Sequence, residues 1–152
     1  MQLGAATSMV AALSVQAAAL RIDESRSDVR LACVELVDLK FALSFIHSVS
    51  LTPVHDQYRL LNDDQGGYRI LQTEERFYAH GQGLPSMYGE PDAIAFEHRN
   101  GQFILRLKRP INNLIVRTDS RYKNRLHTGQ ITINLNQWPD TGLRIYPTDR
   151  CE

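Results

Sequence analysis

His47 and Asp56 are the residues of this chain whose type and setting point most directly to chemistry. Each stands in an alternating apolar–polar run at a place where the pattern calls for an apolar side chain. An imidazole beside a carboxylate can share a proton, orient a ligand or contribute to a metal site. The carboxylate favours the charged imidazole, and burial opposes it. A second constellation follows in His80-Gly81-Gln82-Gly83-Leu84-Pro85. Its glycines, Gly81 and Gly83, free the backbone to converge N–H groups on an anion.

Two strands must position the pair. Leu39 to His47 puts Phe41, Leu43, Phe45 and His47 on one face, and Val54 to Leu60 does the same with Val54, Asp56, Tyr58 and Leu60. A hairpin that opposes Leu43 to Leu60 and Phe45 to Tyr58 then sets His47 opposite Asp56. Ser48 follows His47 directly, so the two side chains leave opposite faces and His47 cannot activate Ser48 as a nucleophile. No G-x-S-x-G turn occurs elsewhere, which removes the main support for a hydrolase. A metal site built from His47, Asp56 and one of His55, His80 or His98 lacks the close spacing of a zinc motif. Two roles remain for the pair: a hydrogen-bonded closure of the end of the core, and a binding site. The candidate ligand- or partner-binding residues are His47, Ser48, Asp56, Gly81, Gly83 and Pro85. No catalytic residue, metal or cofactor is expected.

The rest of the chain reads as strands and turns. Val29 to Val37, Tyr68 to Phe77, Ala93 to Arg99, Gln102 to Lys108, Ile111 to Arg117, Gln130 to Gln137 and Gly142 to Tyr146 all suit short strands. Asn100-Gly101 suits a two-residue type I′ hairpin, which sets Phe96 against Leu105 and His98 against Phe103. Arg21 to Asp28 reads as a charged lead-in, and Arg121 to Thr128 is polar without a period. No segment past residue 20 has a helical period. The expected fold is all-β, an antiparallel sandwich or partly open barrel over residues 21–152, preceded by an N-terminal hydrophobic segment.

That segment, residues 1–20, has no charged side chain and an apolar stretch of signal-peptide length. Val15-Gln16-Ala17 and Ala17-Ala18-Ala19 offer small residues for cleavage, although no Lys or Arg precedes the apolar run. It is read as an export signal or membrane tether, which places the domain in the periplasm or another extracytoplasmic space. Cys33 and Cys151 could pair there, and a free buried Cys33 is equally natural. At 152 residues with zero net charge, the chain forms one domain with no global field for nucleic acid. Charge is nevertheless uneven. Arg99, Arg106, Lys108, Arg109, Arg117, Arg121, Lys123 and Arg125 face only Asp119 within their span, a solvated face or a surface for an anionic ligand or partner.

Phe41-x-Leu43-x-Phe45-Ile46-His47-Ser48-Val49, then Pro53-Val54 and Asp56, then Gly81-x-Gly83-Leu84-Pro85, resembles a bacterial and archaeal domain family of unknown function. Its members are small exported proteins often encoded beside TRAP transporters of the TAXI type. Two positions depart from the family pattern: Asp56 stands where glutamate is usual, and Ser50 where an acidic residue often follows H-S-V. The resemblance implies a non-enzymatic accessory of a TRAP-type solute uptake system, with transporter subunits as partners. A small-ligand module for anionic compounds is the alternative, and a metal-dependent or hydrolytic enzyme is a third reading.

Overall fold

A computed structural model describes residues 17–79, 84–85 and 89–152. The expected strands form, with two, over residues 18–24 and 125–127, that sequence reasoning did not anticipate. They are β1 (Ala18–Glu24), β2 (Arg30–Leu36), β3 (Lys40–Ile46), β4 (Pro53–Asn62), β5 (Tyr68–Phe77), β6 (Ala93–Arg99), β7 (Gln102–Ile111), β8 (Leu114–Arg117), β9 (Arg125–His127), β10 (Thr132–Asn134) and β11 (Gly142–Thr148). They build two antiparallel sheets, one ordered β2-β1-β11-β8 and one ordered β10-β9-β3-β4-β5-β7-β6. The all-β sandwich class read from the sequence is the fold observed.

The sheets meet through alternating residues, as half-buried strands require. Leu20 and Ile22 of β1, Leu143 and Ile145 of β11 and Leu36 of β2 pack with Phe41, Leu43, Leu60, Ile70, Leu126 and Leu135 in one buried cluster. Phe41 and Tyr58, cross-strand partners, stack with ring centroids 4.9 Å apart. Each fully buried leucine stabilises the sandwich by about 1.5–3 kcal/mol.

Three expectations change. β1 begins at Ala18, inside the segment assigned to the leader, and Arg21 to Glu24 continue it rather than forming a loose lead-in. It pairs on both sides, with β2 and β11, so its strand character comes from partners distant in sequence. The proposed strand over Gln130–Gln137 shortens to β10, followed by a 3-10 turn over Leu135–Gln137.

The third change concerns the central hairpin. β3 and β4 pair as Phe41↔Tyr58, Leu43↔Asp56 and Phe45↔Val54, four residues from the expected register. His47 therefore does not face Asp56. The chain reverses over His47 to Thr52, closed by backbone bonds from His47 N–H to the Thr52 carbonyl and from Leu51 N–H to the His47 carbonyl, both at 2.9 Å. Leu51 adopts the left-handed conformation (φ 55°) that so short a reversal needs without a glycine. Pro53 opens β4, where a strand tolerates proline. The shift is even, so every apolar side chain keeps its face.

The Asn100-Gly101 hairpin has the expected geometry, with φ of 52° and 74° and the pairs Phe96↔Leu105 and His98↔Phe103. Cys33 and Cys151 are joined, tying the C-terminal end to β2.

Candidate functional site

The buried face of β4 carries an unusual run of polar groups, and an irregularity in β5 arranges them. Tyr58 pairs with Gln72, whereas Gln57 pairs with Glu74, so Thr73 is an extra residue on β5. A bulge of this kind re-aims the side chains beyond it. Here it places Glu75, rather than Glu74, opposite Asp56. Gln72 pairs with Arg109 on the far side, which puts Asp56, Tyr58, Gln72, Glu75 and Arg109 on one face. Val54, Phe77 and Leu105 continue that face as an apolar patch, where Phe77 stacks on Phe103 at 5.4 Å.

Asp56 is the focus of the group. Its Oδ2 accepts a hydrogen bond from the Tyr58 hydroxyl at 3.3 Å. Its Oδ1 is shut off from bulk solvent and has no hydrogen-bond partner among the described residues. Burial pushes the Asp56 carboxyl up to about 6, while the Tyr58 hydroxyl, Gln72 and the Arg109 charge pull it down. Glu75 is pushed further, to about 8, first by burial and then by the negative charge of Asp56; Glu90 adds to the rise and Arg109 opposes it. Burial, followed by the Asp56 charge, drives the Tyr58 phenol well above its ordinary value. Arg109 is committed elsewhere: its guanidinium reaches Glu90 at 3.1 Å and the Pro91 carbonyl at 3.2 Å.

Asp56 also borders a cleft of about 260 Å³. Leu43, Phe45, Asp56 and Tyr58 line it from β3 and β4, and all four residues of β8 line it from the smaller sheet. β8 ends that sheet, so its second edge has no strand partner among the described residues. Ser44, Asn124, Arg125 and Leu135 complete the lining. The Arg125 guanidinium is held by the Asn124 carbonyl, Asn134 Oδ1 and Asn136 Oδ1 at 2.7–2.8 Å, which fixes that wall.

Of the residues singled out from sequence, Asp56 lies in this site. His47 sits in the β3–β4 turn, where its Nδ1 accepts from the backbone N–H groups of Val49 (3.3 Å) and Ser50 (3.2 Å). Asp56 pairs with Leu43, four residues short of His47, a separation of about 13 Å along an extended strand. Ser48 is exposed in the same turn. Pro85 is buried, whereas Gly81 and Gly83 lie outside the described residues. His55, adjacent to Asp56 in the strand, leaves the opposite face, and His98 stacks on Phe103 at 4.2 Å. Among the described residues, no three His, Cys, Asp or Glu side chains are placed to hold a metal ion.

Sequence reasoning missed Gln72, Glu75 and Arg109. Glu75 and Arg109 had been absorbed into ordinary strand and basic-surface readings, and no local signal marks the Thr73 bulge. Half of the basic run is ion-paired, Arg109 with Glu90 among them. Arg99 and Arg106 bond Glu97, Arg106 reaches Glu74, and Arg121 bonds Asp119. A further pair lies on the outer face, where Ser44 Oγ meets His127 Nε2 at 2.7 Å. The other ring nitrogen meets the Thr132 hydroxyl at 2.9 Å, so neither hydrogen-bond partner of the ring among the described residues is a carboxylate that would stabilise an imidazolium. Burial first, then the nearby His55 and Arg125 charges, lowers the His127 pKa.

No curated protein and no solved structure matches the chain. The family model for the domain of unknown function DUF1850 matches residues 41–135, more than half of the sequence. Every residue lining the cleft, from Leu43 to Leu135, falls within that span, while β1, β2 and β11 lie outside it. The chain belongs to the DUF1850 family.

Proposed function

We propose that this chain is a small-ligand binding domain whose site is the cleft between β8 and the β3–β4 ladder. One observation carries the reading: a cleft lies beside the edge of β8 left unpaired among the described residues, and Asp56, a largely buried carboxylate, stands in its wall. Asp56 Oδ1 is sealed and without a partner among the described residues, which costs about 1–3 kcal/mol, and a ligand recovers that cost where the side chain turns the oxygen towards the cleft. The surroundings suit selective capture, since Leu43, Phe45 and Leu114 supply apolar contact beside polar groups such as Asp56, Asn124 and Arg125. At about 260 Å³ the cleft suits a compound of modest size.

The test is a thermal-shift screen of the full chain against small amines, amino acids and dicarboxylates. At least one compound should raise the melting temperature and move the amide resonances of Leu43, Tyr58 and Val116. A panel that moves neither contradicts the reading.

Export and an accessory role at a TRAP-type transporter of the TAXI type extend the proposal. The Cys33–Cys151 disulfide supports an oxidising compartment. Cleavage after Ala17 would leave β1 whole, because its first residue is Ala18. No helix among the described residues is long and apolar enough to cross a membrane. The accessory role rests on the motif resemblance and predicts that transporter subunits co-purify with the protein from membranes; quantitative pull-downs that recover none would defeat it.

A further inference from the structure

Resting on the cleft reading above, we infer that the ligand carries a carboxylate, received by the side-chain amide of Asn124 and the guanidinium of Arg125. The direction of the hydrogen bonds in the cleft wall carries this. A guanidinium and a backbone N–H only donate, whereas an asparagine amide donates through its nitrogen and accepts through its oxygen. Arg125 Nη1 donates to Asn136 Oδ1 at 2.8 Å, which leaves the Asn136 amide nitrogen to donate to Asn124 Oδ1 at 3.0 Å. The Asp119 N–H donates to the same oxygen at 3.1 Å. Asn124 is thereby fixed with its oxygen doubly occupied and its amide nitrogen left over.

Asn124 is only 7% exposed, and its Nδ2 has no hydrogen-bond partner among the described residues. Every side-chain bond of Arg125 leaves from Nη1, so its Nε and Nη2 also lack a partner among the described residues. Among those residues, Asp56 Oδ1 is the one side-chain nitrogen or oxygen both sealed and unpartnered. The free nitrogens of Asn124 and Arg125 are therefore open, and both residues line the cleft. A buried donor without an acceptor is costly, so these nitrogens call for one.

Charge points the same way. Arg117 also lines the cleft, and neither it nor Arg125 has an ion pair among the described residues. Asp56 does not supply the missing acceptor, because its Oδ1 is sealed and its Oδ2 takes the Tyr58 hydroxyl. The lining thus sets two cations against one carboxylate, an excess that an anion relieves. The open Nε–Nη2 edge of a guanidinium held in place matches the two oxygens of a carboxylate. Leu43, Phe45, Leu114 and Leu135 around these donors suit an apolar body behind that group, and give the further oxygens of a phosphate nothing to bond.

Calorimetry of the full chain with sodium hexanoate, n-hexylammonium chloride and sodium phosphate, at matched ionic strength, tests this. Hexanoate should bind, and hexylammonium should not. Asn124→Asp keeps the oxygen on which the Asp119 N–H and the Asn136 amide rest and puts an acceptor in place of the donor. It should weaken hexanoate about tenfold with the near-ultraviolet dichroism unchanged, and Arg125→Gln should weaken it to a similar degree. Hexanoate binding that survives both substitutions removes these donors as the dock. Phosphate binding tighter than hexanoate overturns the carboxylate class. Binding of hexylammonium without hexanoate overturns the anionic assignment and leaves the cleft reading standing. If no probe and no compound of the wider panel engages the cleft, the cleft reading itself fails.

Discussion

Replacing Glu75 by glutamine isolates the most strained ionisation in the molecule. Glu75 sits half-buried opposite Asp56, and its carboxyl is pushed from 4.5 to about 8. The folded state thus keeps a proton that the unfolded chain releases near pH 4.5. Stability from this group is fully present below that value and is lost as pH rises towards 8. Each pH step between the two values removes about 1.36 kcal/mol, which sets a ceiling of about 5 kcal/mol above pH 8. Water penetration and relaxation around a half-buried group reduce this, and about 2 kcal/mol is the expected effect. Glutamine has the same shape and no charge, so Glu75→Gln should match the parent within about 0.5 kcal/mol at pH 5 and exceed it by about 2 kcal/mol at pH 8.5. Urea unfolding at both pH values, with the disulfide intact, gives the comparison as a change in midpoint at constant slope. A difference that is the same at both pH values, or that reverses sign, refutes burial of the Glu75 carboxyl as its cause.

Reducing the Cys33–Cys151 bridge, or replacing both cysteines by serine, opens a loop of 118 residues and should cost about 2–4 kcal/mol in urea unfolding. Unchanged stability would show that the bridge does not constrain the chain. His47→Ala removes the acceptor for two backbone N–H groups of the β3–β4 turn and should cost about 1 kcal/mol. His47→Asn keeps an acceptor and should recover part of that loss in thermal melts; equal losses for the two variants would contradict the capping role.

The sequence is most legible where structure is local. Tyr68–Phe77 and Ala93–Arg99 form strands over the expected spans, and Asn100-Gly101 dictates both its turn and its pairing. Alternation names the face that Leu43, Tyr58 and Leu60 share, but any even shift keeps that face, so it could not fix which residues pair. His47 thus looked like the partner of Asp56 and proves to be the cap of a short turn. β1 was hidden because Ala18 to Leu20 blends into an apolar leader and becomes a strand only between β2 and β11. The site was half visible. Asp56 stood out as a carboxylate on an apolar face, whereas Glu75 reaches it only through the Thr73 bulge and Arg109 through pairing across β5. Those relations depend on three strands at once, and no window of sequence contains them.

The central claim is that Asp56, a largely buried carboxylate in the wall of the cleft, responds to a ligand bound there. Its most direct test is a carbon-13 NMR titration of the Asp56 carboxyl, free and with a saturating compound from the thermal-shift panel. The account predicts a midpoint near 6 in the free protein, shifting when the compound binds. A midpoint at the ordinary aspartate value, indifferent to the ligand, would contradict it.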